Sequence, residues 1–484
     1  MRLNEALEIK LKKFFGDMLV YKSSGNAKFF SSLSLPSFMR DWLVMRFSDE
    51  DGHIDTEEIS AYVKKVLPKE EQWKKYMIDM LRHGKRARFL AKVKIDFDTR
   101  NRCALFNLPD FAFPQKKDDA IADWNVVEQS QKYLMSPTEA WGIVEISCYE
   151  DSRTGRNIFR LTDFVPFCPY TIDVDYYKEA RKNFSLDEWI DILLGAIDYN
   201  PEGFETQSQK LSMLKRLLPF VEKRMNLIEL APKETGKSYV FSNISKYGWL
   251  VSGGSITRAK MFFDMNKRTA GLVSRYDYIA LDEIQSITFK SDALEMQGAL
   301  KSYLESGEYR VGNDRRTGDA GLILLGNIDS YLMNESKNMF VELPEIFRES
   351  ALIDRFHGFI KGWTIPKMKE SLKVNDWALN SEYFSEILHS LRDELQYRAI
   401  VGRLLDVPKN AATRDTEAIK RICTGFLKLL FPHVKSDDQI DKADFETYCL
   451  RTAKEMRGII KTQLGILDFG EFGQSTIPDI KIKL

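Results

Sequence analysis

Lys237 closes the segment Ala231-Pro-Lys-Glu-Thr-Gly-Lys-Ser238, which follows the apolar run Asn226-Leu-Ile-Glu-Leu and opens an apolar helix start. A strand that turns through such a loop into a helix wraps backbone N–H groups around phosphates. The lysine then answers the phosphate charge and Ser238 offers a hydroxyl to Mg²⁺. Nucleotide contacts are therefore expected from Ala231, Pro232, Lys233, Glu234, Thr235, Gly236, Lys237 and Ser238. Ala231 stands where the first glycine of this pattern belongs, which works only if its backbone angles are ordinary. A chance Gly-Lys-Ser at a helix start is the competing reading.

A second run, Tyr278-Ile-Ala-Leu-Asp-Glu283, is apolar and ends in adjacent carboxylates. Beside a lysine loop, Asp282 would hold the metal through water and Glu283 would polarise the attacking water. Alone it would read as a buried strand with an acidic turn. The third run, Leu322-Ile-Leu-Leu-Gly-Asn327, ends on an amide able to orient water against the γ-phosphate. Gly-Asn is also a common turn, so the weight here comes from its place after two matching strands. The cofactors implied are ATP and Mg²⁺.

These runs need a parallel sheet behind them. From about residue 205 to 370 strand and helix patterns alternate, as in an α/β core. Before it come a helical region at 1–90 and a β-rich, OB-like region at 91–172, where Phe89–Phe97 alternates with period two. A helical connector at 173–204 carries the capping box Ser185-Leu-Asp-Glu188. Residues 371–463 return to helix as a lid, and the tail at 464–484 fits no element.

The chain has 484 residues, too many for one core, and 71 basic against 71 acidic residues. Its field gives no general attraction to nucleic acid, so any such contact needs a local patch. Five scattered cysteines argue against a disulfide framework or a zinc cluster and for reduced thiols. With no signal peptide and no apolar span, a cytoplasmic protein without membrane contact is expected. Phe47-Ser-Asp-Glu-Asp-Gly-His-Ile-Asp-Thr-Glu-Glu58 imitates a calcium loop through Asp49, Asp51, Gly52, Asp55 and Glu58. Its first ligand position, however, is Phe47, so calcium is not expected.

The order of lysine loop, Asp-Glu strand and Asn strand resembles the AAA+ superfamily. More closely, Glu229–Ser238, Leu250-Val-Ser-Gly-Gly, Ala280-Leu-Asp-Glu, Leu325-Gly-Asn-Ile, Asp354-Arg-Phe-His, Gly362-Trp-Thr-Ile-Pro-Lys, Arg414-Asp and Leu427-Lys-Leu-Leu-Phe-Pro-His resemble the BrxL family. Phe184-Ser-Leu-Asp-Glu-Trp-Ile-Asp in the connector continues the likeness, which is good over 175–460 and loose before it. These are the Lon-related ATPases of BREX bacteriophage-defence systems. The resemblance implies an AAA+ P-loop parallel sheet with helical lid, and an ATP hydrolase acting in antiviral defence. It also implies a ring, a hexamer or stacked hexamers, and other defence-system proteins as partners.

From the same likeness Arg355 is expected as an arginine finger reaching a neighbour's site, with Arg348 as the rival. Arg414 is expected as a second sensor, on the lid against the phosphates. A surface or lid-packing charge is the alternative for each. The family pattern has glycine at the positions of Ala231 and Glu234, which puts full turnover in doubt. Longer members carry a Lon-like peptidase domain, and the few residues after 463 lead us not to expect peptidase activity.

Between the Asp-Glu and Asn strands, Gly307–Leu322 reads as a hairpin with Arg315 and Arg316 at its tip and Arg310 on its first arm. It is similar in position to the pore hairpin of ring helicases of the minichromosome-maintenance type. A ring would gather these arginines around duplex DNA, with Lys267 and Arg268 adding to the pore. Lys85, Arg86 and Arg88 form a second basic run, either a nucleic-acid collar or a solvated turn. Two other functions remain open. One is a protein unfoldase threading substrate past Phe262-Phe263, and the other a nucleotide-gated scaffold with little turnover.

Overall fold

A computed structural model describes residues 5–483 apart from 34, 36, 50–51, 136–139, 153, 168–171, 266–268, 290–292 and 474–475. The chain divides into two compact units, residues 43–171 and residues 1–42 with 172–484.

The smaller unit is built on a closed five-stranded barrel. Ala87–Asp98 turns at residues 99–102 and returns as Cys103–Asn107, because Asp98 accepts the N–H groups of Arg100 and Asn101. Ala120–Ala122, Ala140–Glu150 and Asn157–Pro166 complete it. Period-two alternation sends Phe89, Ala91 and Val93 inward, where Trp73 and Phe113 pack with them. Phe47 of the calcium-loop imitation packs on Tyr62 with ring centroids 5.0 Å apart. Asp55 caps the helix Thr56–Val66, while Glu50 and Asp51 lie outside the described residues.

The larger unit is a mixed α/β body around a five-stranded parallel sheet. Across the sheet the order is Gly358–Lys361, Leu227–Ala231, Gly321–Asn327, Tyr278–Asp282 and Gly248–Ser252. The three central strands are buried almost throughout, and apolar but for Glu229 and the terminal Asp282 and Asn327, because both faces are covered, as parallel sheets require. Their polar termini, Asp282 and Asn327, are placed where the strands leave that cover. The connector helix Leu186–Ala196 starts at the expected capping box: Ser185 Oγ accepts the Glu188 N–H and Glu188 answers the Ser185 N–H. The helices Ser381–Leu391, Gln396–Leu404, Thr413–Leu430 and Arg451–Leu467 form the helical region after the sheet. The tail contains the helix Phe469–Phe472 and the short strand Lys481–Ile482, which pairs with Leu405–Asp406. No helix among the described residues is long and apolar enough to cross a membrane.

Candidate functional site

The lysine loop leaves the carboxyl end of Leu227–Ala231 and enters the helix Lys237–Asn243. Ala231 is still extended strand, opposite Asn327, so a side chain there is harmless. The loop leaves ordinary backbone at Glu234, φ 69°, and at Gly236, φ 72°. Left-handed backbone costs a non-glycine residue roughly 1–2 kcal/mol. Glu234 is held in it because its carbonyl accepts the Met368 N–H at 2.7 Å, while its side chain is exposed. Beneath the loop lies Arg216, fully buried, bonded to Glu229 at 2.5 Å and donating to the Thr235 carbonyl at 2.8 Å.

Lys237 Nζ donates to Asn327 Oδ1 at 2.9 Å. Burial pushes the ammonium below the usual lysine range, while the charges of Glu229, Asp282 and Glu283 pull it back up. Asp282 is buried and accepts the Glu283 N–H at 2.9 Å. Glu283 is exposed and left-handed, at φ 49°. Asn327 is fixed from both sides by Gln285, which donates to its carbonyl at 2.7 Å and accepts its N–H at 3.4 Å. The expected lysine, carboxylates and amide thus converge at the carboxyl ends of neighbouring parallel strands.

This donor set fits a metal-bound triphosphate. The Lys237 ammonium feels the charges of the buried Asp282 and the exposed Glu283, and Ser238 follows it on the first turn of the helix Lys237–Asn243. The Tyr199 hydroxyl, also buried, has no hydrogen-bond partner among the described residues and lies against Gly236. A Cβ on that glycine would come within 2.0 Å of the Tyr199 oxygen.

Arg355 and Arg414 are not part of this cleft. Arg355 follows the helix Ser350–Ile353 and precedes Gly358–Lys361, at the amino end of the sheet. It pairs with Glu305 at 2.9 Å. Arg414, on the first turn of Thr413–Leu430, pairs with the same Glu305 at 2.9 Å and with Asp354 at 2.9 Å. Within one chain Arg414 therefore does not lie against the phosphates, because two carboxylates at the other end of the strands hold it. Arg348 spends its guanidinium on the carbonyls of Leu343 and Val341.

The arginine hairpin forms as Glu308–Val311 and Asp314–Thr317. Its register pairs Arg310 with Arg315 and Tyr309 with Arg316, around a turn at Gly312 and Asn313. Strand alternation therefore separates the two expected tip arginines. Arg310 and Arg315 share one exposed face, whereas Arg316 lies over the Phe263 ring at 4.1 Å. Phe262 is buried, and the helix Arg258–Met261 stops short of both aromatics, so Phe262-Phe263 is not within a packed helix. Lys267 and Arg268 lie outside the described residues. In the barrel unit Arg86 pairs with Glu145 at 2.9 Å, Arg88 with Asp163 at 3.1 Å and Lys85 with Asp79 at 3.4 Å.

Several site residues went unread in the sequence. Glu229, a lone carboxylate inside a buried strand, signals that a cation must meet it, and Arg216 is that cation. Gln285, Glu305 and Tyr199 carry no comparable signal.

An ATPase-domain class is what the comparisons with known proteins give. The family model described as Lon-like protease BrxL-like, ATPase domain, matches residues 159–477, and that described as BREX system Lon protease-like protein BrxL N-terminal matches 13–148. The chain belongs to the BrxL family. Among curated relatives, the Lon-like protease BrxL of Escherichia coli O9:H4 (strain HS) is 32% identical over 357 residues, 73% of this chain and 50% of that protein. The Lon-like protease BrxL of Bacillus cereus (strain H3081.97) is 28% identical over 483 residues, 97% of this chain and 68% of that protein. The chain thus spans half the length of the first relative and about two thirds of the second.

Proposed function

We propose that this chain is an AAA+ ATPase that forms a ring around DNA and uses ATP in bacterial antiviral defence of the BREX type. The observation that carries the ATPase reading is the Lys237–Asn327 contact beside Asp282 and Glu283. It is supported by the strand order, in which the lysine-loop strand lies between the last strand and the amide strand. The five-stranded barrel supports the OB-like reading of the N-terminal β region.

In this reading Lys237 and the loop N–H groups hold the phosphates, and Ser238 and Asp282 hold Mg²⁺, which supplies charge neutralisation. Glu283 takes the proton of the attacking water, and Asn327 keeps Lys237 and that water in register. Arg355 precedes the strand Gly358–Lys361, and Arg414 is held at the same amino end by Glu305 and Asp354; a strand of four residues is about 13 Å long, so in this reading the two arginines serve a neighbour's triphosphate. Such trans arginines are worth about 10³–10⁵ in rate where they act. That requirement supports a closed ring, a hexamer or stacked hexamers.

Arg310 and Arg315 support the DNA reading. They form an exposed basic pair on a hairpin that a ring would repeat. The threading alternative loses its device, because Phe262 is in the core and Phe263 lies under Arg316.

The test is binding and turnover of ATP with Mg²⁺, with and without duplex DNA. Wild type should bind, Lys237→Ala should lose binding at least tenfold, and Glu283→Gln should bind but not hydrolyse. Duplex DNA should raise turnover. Equal binding by wild type and Lys237→Ala would refute the site, and stimulation by unfolded protein but not DNA would refute the substrate.

A further inference from the structure

Asp198 is a charged residue in left-handed backbone, at φ 72°. It stays there because four side chains hold its carboxylate. Lys22 Nζ lies 2.8 Å from Oδ1 and Arg40 Nη2 2.7 Å from it. Ser37 Oγ donates to Oδ2 at 3.0 Å, and the Tyr239 hydroxyl donates to the same oxygen at 2.5 Å. Asp41 completes the group. It takes Arg40 at 2.8 Å, lies 3.4 Å from Lys22, and accepts the Ser381 N–H at 2.9 Å. Two cations and two carboxylates balance, so the cluster carries no net charge, and its hydrogen bonds offset part of the cost of taking each ion out of water.

The four holders come from two places. Lys22, Ser37 and Arg40 belong to the N-terminal segment, whose strand Leu19–Lys22 pairs with Asp376–Leu379. Tyr239 belongs to the helix Lys237–Asn243, two residues beyond the loop lysine. Burial pushes the Tyr239 phenol up and Asp198 pushes it further, so it remains the donor. Against burial, Arg40 and Lys22 hold the Asp198 carboxyl below the usual range, so it remains the acceptor. Next in the chain, Tyr199 presses its hydroxyl against Gly236, the single glycine of the lysine loop. One dipeptide thus touches the loop on both sides of Lys237, and its charge is answered by the N-terminal segment.

We propose that Asp198 and Tyr239 are positioning residues for the lysine loop, and that through them nucleoside triphosphate in the loop tightens the hold on the segment Leu19–Trp42. The proposal rests on the nucleotide reading of the loop. The physical reason is linkage. If the Tyr239–Asp198 bond fits one position of the helix better, phosphate favouring that position strengthens the bond, and the segment answers reciprocally. None of these residues touches the phosphates in this scheme, and each acts through Lys237 or Gly236.

Hydrogen exchange and equilibrium binding on the full chain test this, using a slowly hydrolysed ATP analogue with Mg²⁺. In wild type, the analogue should slow amide exchange in Leu19–Lys22 and Ser37–Trp42. Tyr239→Phe keeps the ring and removes the donor. It should bind the analogue about five- to tenfold more weakly, the equivalent of one hydrogen bond. At saturating analogue the slowing in both peptides should be lost, with the melting temperature close to wild type. Asp198→Asn should do the same and more. Should that variant not fold, Tyr239→Phe and Arg40→Met carry the test, and in Arg40→Met the slowing at Ser37–Trp42 should be reduced. Exchange in the segment indifferent to the analogue, or a Tyr239→Phe protein matching wild type in both readouts, would overturn the proposal alone, provided Lys237→Ala loses binding. Wild type that binds no better than Lys237→Ala overturns the nucleotide reading and this proposal together.

Discussion

At the residue scale, the lysine loop shows how a sequence can depart from a glycine-rich pattern and keep its path. Ala231 remains within the strand, and Glu234 accepts left-handed angles because Met368 holds its carbonyl. Gly236 has no such freedom. Its φ is 72°, and a methyl group there would meet the Tyr199 oxygen at 2.0 Å but the ring carbon behind it only at 3.3 Å. Gly236→Ala should therefore abolish nucleotide binding. Adding Tyr199→Phe should restore part of it, leaving a deficit of roughly 1–2 kcal/mol from the backbone angle. Titration of both variants with an ATP analogue and Mg²⁺ gives the comparison. No recovery in the double variant would show that steric contact with Tyr199 is not the constraint.

At the element scale, charge binds the helix Ser381–Leu391 to the sheet. Lys246, just before the edge strand Gly248–Ser252, lies 2.5 Å from Glu382 and 2.6 Å from Glu386. One ammonium cannot fully compensate two carboxylates a helical turn apart. Burial pushes Glu382 up to about 7 against the pull of Lys246, with Glu386 adding to the rise. The folded protein takes up this proton more readily than the unfolded chain, whose glutamate titrates near 4.5. Glu382 thus contributes stability that is complete below about 4.5 and declines as pH rises to about 7. Wild type should lose stability relative to Glu382→Gln across that window, by at most about 3 kcal/mol. Calorimetry at pH 5 and 7.5 reads that difference, in which the half-buried histidines His357 and His433 cancel. A constant gap between the two proteins would remove Glu382 from the account.

Much of this architecture was legible in the order of residues. The three central strands announced themselves as apolar runs ending in Lys237's loop, Asp282 and Asn327, because covered parallel strands have no polar face to confuse the pattern. The capping box at Ser185 was equally plain. The positions of Arg355 and Arg414 were not, since Glu305 and Asp354 claim them through contacts that no local spacing encodes. Asp198 and Tyr199 were silent for another reason: nothing in a sequence marks an aspartate for left-handed backbone when its four holders are remote. The separation of Arg316 from Arg315 was readable, since adjacent strand residues face opposite ways.

At the scale of the whole molecule, a chain with no net charge would have to bind DNA, as proposed, through a few placed cations. Arg310 and Arg315 are exposed and share a face, while Arg316 is engaged with Phe263. Arg310→Ala and Arg315→Ala should each weaken duplex binding across all sequences. Each should also reduce the slope of log affinity against log salt by about 0.9 for every phosphate left without its cation. Arg316→Ala should change that slope less. An unchanged slope in the Arg310→Ala, Arg315→Ala double variant would refute the hairpin as the proposed DNA contact.

The placement of Glu305 carries one more consequence. It keeps two guanidinium groups on the rim opposite the lysine loop. If these arginines serve a neighbour's triphosphate as proposed, each copy is directional, and a two-fold dimer would press like ends together. Only head-to-tail contacts would then bring unlike ends into register, and such contacts either close on themselves or run on without limit.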